Sequence, residues 1–115
     1  GLLVIIDGLD GIGKGQILST FESWAIDRDK KVYNLEHLKN SFLPTYAEMK
    51  HYDVIISAEP TNVGIGEAIR KEIILAPELR PHSYHYTSKE TAQLFAFDRQ
   101  ILYQRIIIPA FRDNK

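Results

Sequence analysis

The chain has 115 residues, 44% of them hydrophobic and 25% charged, with a formal net charge of −1 and a pI near 6.5. This is the make-up of about one ordinary globular domain, and its near-neutral balance excludes the basic stripe that a sequence-independent grip on nucleic acid requires. The absence of cysteine excludes disulfides and thiolate metal sites, and no apolar run is long enough to cross a bilayer, so a cytoplasmic protein acting on small molecules, with no membrane or nucleic-acid partner, is expected.

The chain opens with an apolar run, Leu2-Leu3-Val4-Ile5-Ile6, which reads as a strand. Asp7-Gly8-Leu9-Asp10-Gly11-Ile12-Gly13-Lys14-Gly15 follows, and Gly8, Gly13 and Lys14 fit the spacing G-x-x-x-x-G-K of a phosphate loop. In such a loop consecutive backbone N–H groups turn inward around a polyphosphate. Glycines allow the positive φ angles and the close approach that this needs. The next helix adds its N-terminal partial positive charge, and Lys14 adds a point charge near the outer phosphates. Residues Gly8, Leu9, Asp10, Gly11, Ile12, Gly13, Lys14, Gly15 and Gln16 are therefore the candidate polyphosphate-binding set, with Lys14 as its charged member. Gly8, Gly11 and Gly13 are spaced G-x-x-G-x-G, which does not fit the dinucleotide fingerprint G-x-G-x-x-G. The position after Lys14 is Gly15, where the usual loop carries a Ser or Thr whose hydroxyl holds Mg²⁺.

Ile17, Leu18, Phe21, Trp24 and Ala25 recur at helical spacing and predict a first helix over Lys14 to Ile26, with Trp24 as packing material. Lys31 to Leu35 predicts a short strand, and Glu36 to Lys50 a helix interrupted near Pro44. Asp53-Val54-Ile55-Ile56-Ser57 predicts a second strand covered on both faces, ended by Glu59-Pro60-Thr61. A third helix is expected from Gly64 to Leu75, with Arg70 beside its apolar stripe. A loop with His82 and His85 follows, too sparse in ligands for a metal site. Thr87 and Glu90 form a capping box opening a long helix to about Ile108, stopped or kinked by Pro109. On it Phe95, Arg99, Leu102 and Ile106 share one face, where a ring and a guanidinium one turn apart can hold a flat base. From the pattern alone a core Phe beside a solvated Arg is the competing reading. Strands alternating with helices predict an α/β chain with a parallel sheet whose ligands lie at the carboxyl ends of the strands.

Three blocks together resemble the thymidylate kinase family of P-loop nucleoside monophosphate kinases. They are Asp7-Gly8-Leu9-Asp10-Gly11-Ile12-Gly13-Lys14; Glu59-Pro60-Thr61 with Gly66-Glu67-Ala68-Ile69-Arg70; and Leu94-Phe95-Ala96-Phe97-Asp98-Arg99 with Ile108-Pro109-Ala110. The resemblance implies a P-loop NTPase fold of three α/β/α layers, of which residues 1–115 would be the N-terminal portion of a single kinase domain. It implies phosphoryl transfer from ATP to thymidine monophosphate (dTMP), with Mg²⁺ between the donor phosphates. By position, Asp10 would accept a hydrogen bond from the deoxyribose 3′ hydroxyl, Phe95 would stack on thymine and Arg99 would bond its carbonyl edge. Glu59 and Arg70 would line the monophosphate pocket. A homodimer is one assembly the family implies, with the helix opening at Thr87 as either contact or core.

The chain departs from the family at several points. Gly15 replaces the loop hydroxyl, and Ala58 stands where many members have an arginine. The stretch from Val32 to about Lys50 is longer than usual and is expected to supply a replacement cation. The family's next strand and lid would follow Lys115, so 115 residues alone are expected to be insoluble or inactive. Two alternatives stay open: a kinase for another nucleotide or nucleoside, and an ATP-binding P-loop module without catalysis.

Overall fold

Two short β-branched runs make the sheet. Val32–Asn34 (β1) and Val54–Ile56 (β2) pair in parallel, with Val32 opposite Val54, Tyr33 opposite Ile55 and Asn34 opposite Ile56. The computed structural model describes residues 1–8, 11, 13–38, 42–75 and 86–115, and among these β1 and β2 are the whole sheet. Their entry is fixed by Asp53, whose carboxylate accepts from the Lys31 N–H at 2.9 Å while its own N–H donates to the Lys31 carbonyl at 2.8 Å. Parallel neighbours need a crossover. Here it is the insert, which contains a 3₁₀ turn, Leu35–His37, and one turn of helix, Tyr46–Met49 (α2).

Among the described residues the interrupted helix expected over Glu36 to Lys50 is these two turns, and Lys39 to Ser41 lie outside them. Leu38 adopts φ −75°, ψ 142° and ends the 3₁₀ turn in extended backbone. The Asn34 side chain begins that turn by accepting from the Glu36 N–H at 2.9 Å. The insert is core material: Leu35, Leu43 and Met49 join Val63, Leu102 and Ile106 in one buried cluster. Burial of each such side chain contributes about 1.5–3 kcal/mol. Arg105 secures it by donating from Nη2 to the Leu43 carbonyl at 2.8 Å.

The first helix, α1, spans Lys14–Ile26 as its pattern predicts, but its apolar stripe is not interior. Ala25 is buried, whereas Ile17, Phe21, Trp24 and Ile26 are exposed. Trp24 is 49% exposed; its ring stacks on Phe21 with centroids 5.6 Å apart, and the Arg28 guanidinium sits 4.2 Å above it. Leu2 to Ile6 depart further from expectation. They form no strand, and Leu2 is 79% exposed. Strand structure needs a ladder partner. The bond recorded here instead runs from the Leu2 N–H to the Lys115 carbonyl, at 2.9 Å. Between this segment and β2 lies an apolar cleft of about 430 Å³, lined by Leu3, Val4, Ile6, Leu18, Val54 and Ile107 among others.

The third helical segment is Ile65–Ile69 (α3), widened into π turns over Arg70–Leu75. The long helix, Ser88–Leu102 (α4), starts where expected: the Thr87 hydroxyl accepts from the Glu90 N–H at 3.1 Å. It does not stop near Ile108. Wide turns over Tyr103–Ile107 lead into a last helix, Ile108–Arg112 (α5), with Pro109 in its first turn. Proline in a helix lacks an N–H and crowds the carbonyl four residues back, and the widened turns accommodate both.

The Tyr46 hydroxyl donates to the Asp113 carboxylate at 2.7 Å and ties the insert to the end of the chain. Burial, then this bond, push the Tyr46 phenol up to about 12, and the same bond holds the Asp113 carboxyl below the usual range. The bond therefore contributes fully between the ordinary carboxylate range and pH 10.0, and its contribution is lost above as pH rises toward about 12 and below as Asp113 takes up a proton. Tyr46→Phe should therefore remove a late-titrating phenol from the ultraviolet absorbance titration of the full-length protein. Loss of a phenol that titrates near 10.0 instead would rule the bond out.

Candidate functional site

The loop before α1 is built by backbone conformation. Gly11 and Gly13 have φ of 82° and 94°, and no atom would meet a Cβ at either position, so the constraint there is the angle and not the space. Gly13 is the N-cap of α1, and among the described residues there is no side-chain cap and no acid in the first turn, so the positive end of the helix faces the loop. The Lys14 ammonium folds back over the loop and donates to the Gly8 carbonyl at 2.6 Å, while the Gly8 N–H donates to Asp7 Oδ1 at 2.8 Å. Gly15 and Gln16 continue the first turn, and Gln16 lines a shallow hollow with Gly13, Ile17 and Thr20. Leu9, Asp10 and Ile12 lie outside the described residues.

The second half of the site is the turn after β2, where the Glu59–Pro60 peptide is cis. Arg99 Nε donates to Glu59 Oε2 at 2.7 Å, so two sequence-predicted site residues meet across 40 positions. This bond and the charge of Glu59 raise the Arg99 guanidinium above its ordinary value, with the charges of Tyr103 and Asp7 adding to the effect. Asp7 begins the loop, so loop and turn act on the same cation. Arg70 approaches from behind α3. Its Nε donates to the Pro60 and Thr61 carbonyls at 3.2 Å each, and its Nη2 also donates to Pro60. Arg70 thus braces the turn here. Phe95, one helical turn before Arg99, is half-buried and outside the buried cluster that Leu102 and Ile106 join on the same face.

Sequence reasoning passed over Asp98 and Thr61. Asp98 is 2% exposed and Thr61 4%, and the carboxylate takes both the N–H and the hydroxyl of Thr61 at 2.8 Å. A signal was present: Asp98 precedes Leu102 by one turn, a carboxylate on the face that goes into the core. Gly66 closes the same knot, because a Cβ there would overlap the Thr61 hydroxyl and carbonyl oxygen.

None of the insert's basic side chains is recorded against Glu59, Arg70, Phe95 or Arg99 among the described residues. His37 stands 3.9 Å from Glu22 and beside Asn34, and Lys50 lies near enough to Asp113 to lower its pKa. The insert does reach the turn through Glu36, whose carbonyl accepts from Asn62 Nδ2 at 3.2 Å. Lys39, His82 and His85 fall outside the described residues. Among the described residues no group of three His, Cys, Asp or Glu could hold a metal, and no helix is long and apolar enough to cross a membrane.

Comparison with known proteins agrees with the resemblance seen in the three blocks. The whole chain matches a curated "Probable thymidylate kinase" of Pyrococcus horikoshii at 26% identity over 115 residues, covering 44% of that protein. It matches a second, from Thermococcus gammatolerans, at 28% identity over 116 residues, covering 45%. The chain thus spans less than half the length of the curated relatives it matches. No family model matches it, and no solved structure does.

Proposed function

We propose that this chain is the portion of a P-loop kinase that grips ATP and the acceptor, and that the enzyme transfers the γ-phosphoryl group of ATP to thymidine 5′-monophosphate. The observation that carries this reading is the meeting of Glu59 and Arg99 at 2.7 Å, which joins two blocks of the thymidylate kinase resemblance. In this reading the loop amides and Lys14 hold the donor phosphates, Phe95 stacks on the base, and the outer edge of Arg99, oriented by Glu59, meets the base carbonyl. Such chemistry is mostly positioning and charge stabilisation, which these groups supply. Asp10, in the loop, would take the sugar hydroxyl.

Gly15 offers no hydroxyl, and the described residues hold no cluster of metal-binding acids. Mg²⁺ keeps several waters and would be held here mainly through the donor phosphates that the loop amides and Lys14 bind. When bound it neutralises charge between the donor phosphates.

Residues 1–115 would then form part of a single three-layer α/β/α domain, and the apolar cleft between Leu2–Ile6 and β2 is where that sheet gains another strand. The exposed Ile17, Phe21, Trp24 and Ile26 of α1 support the same reading, since contiguous apolar side chains on a surface mark a face that something covers.

The test is an acceptor screen on the full-length gene product with thymidine, uridine, guanosine and adenosine monophosphates. Transfer to the thymidine nucleotide in clear preference is the expected result. Preference for another acceptor would replace the substrate, and ATP binding without transfer to any would replace the kinase by a binding module.

A further inference from the structure

We propose that Asp98 is a positioning residue for the acceptor side of the site, holding the Glu59-Pro60-Thr61 turn in register with the Phe95–Arg99 face of α4. The proposal rests on the kinase reading above and deepens it. Both oxygens of the Asp98 carboxylate are used on one residue, Oδ2 by the Thr61 N–H and Oδ1 by the Thr61 hydroxyl, each at 2.8 Å. The hydroxyl has a single proton, and its other contact, the Val63 carbonyl at 3.2 Å, is the longer.

A two-point grip fixes the orientation of Thr61 as well as its place. Arg99, the next residue on the helix, takes Glu59 at the other end of the same turn. Consecutive residues of α4 therefore hold both ends of one tripeptide, while Arg70 braces its carbonyls from α3. A buried carboxylate is an expensive way to join two elements. Packing alone is served as well by an apolar pair of similar volume, so the polar grip is explained by the geometry it imposes. If Thr61 shifts, Glu59 shifts with it, and the guanidinium that Glu59 orients moves off the base edge. The Asp98–Thr61 contact joins α4 to the turn after β2, and among the described residues no loop side chain bonds to either.

The experiment measures KM for dTMP and for ATP, and kcat, in the full-length gene product and three variants. Asp98→Ala should raise KM for dTMP by about tenfold or more and leave that for ATP within about twofold, since ångström-scale misplacement of a binding group weakens productive geometry. Asp98→Asn keeps an acceptor for the Thr61 N–H and offers an amide to its hydroxyl, and should restore KM for dTMP to within about threefold of wild type. Thr61→Val removes one of the two bonds and should lie between; it decides the matter if Asp98→Ala does not fold. The proposal is overturned if Asp98→Ala, or Thr61→Val in its place, lowers the melting temperature with both KM values unchanged, or raises both equally. A wild-type enzyme that phosphorylates no monophosphate defeats the kinase reading itself. An active wild type with an unmoved KM for dTMP in the variants defeats only the role of Asp98.

Discussion

Lys14→Ala should lower phosphoryl transfer by about a hundredfold to a thousandfold, the usual cost of removing one preorganised group that stabilises developing charge. Lys14 is the first residue of α1, and its ammonium already lies over the loop, against the Gly8 carbonyl. A triphosphate in the loop would give that ammonium a charged partner, and charge-assisted hydrogen bonds of this kind are roughly twice as strong as neutral ones. The fold should be indifferent to the change. Lys14 lies outside the buried cluster, and surface substitutions of this kind usually stay within about 0.5 kcal/mol. The expected signature is a large fall in kcat with an unchanged melting temperature. Retention of full turnover by the alanine variant would remove Lys14, and with it the phosphate-loop reading.

What could be read from the sequence was mostly local. The bounds of α1, the Thr87 cap and the paired runs at Val32 and Val54 follow from periodicity and from side chains acting within one turn. Leu2 to Ile6 failed for a reason of the same kind. An apolar run states that it can be a strand but not where its ladder partner is, and among the described residues none pairs with it. Trp24 shows the complementary error: a stripe predicts a buried face only if something covers it. The insert was read for its charges, yet it is held by Leu35, Leu43 and Met49, and three hydrophobic residues spread over fifteen positions carry no periodic signal.

The candidate site was nominated residue by residue but not as a network. Glu59, Arg70, Phe95 and Arg99 were each nominated, and the structure brings Glu59 to Arg99 and Arg70 to the carbonyls between them. Such pairing is set by tertiary packing of α4 on the turn after β2, which no local pattern encodes. Asp98 could have been suspected, because a charge one turn from Leu102 on a buried face needs partners. That both partners belong to Thr61 could only be found in three dimensions.

The central claim is that a pyrimidine lies on Phe95 while ATP occupies the loop at the start of α1. Phe95 is half-buried, one turn from Arg99 and outside the buried cluster. Stacking of a base on an aromatic ring is worth about 1–3 kcal/mol, which corresponds to about fivefold to 150-fold in affinity. The direct measurement is the steady-state kinetics of Phe95→Ala in the full-length gene product, with each substrate varied at saturating levels of the other. KM for dTMP should rise by about tenfold or more, and KM for ATP should stay within about twofold. An unchanged KM for dTMP, or an equal rise for both substrates, would contradict the account.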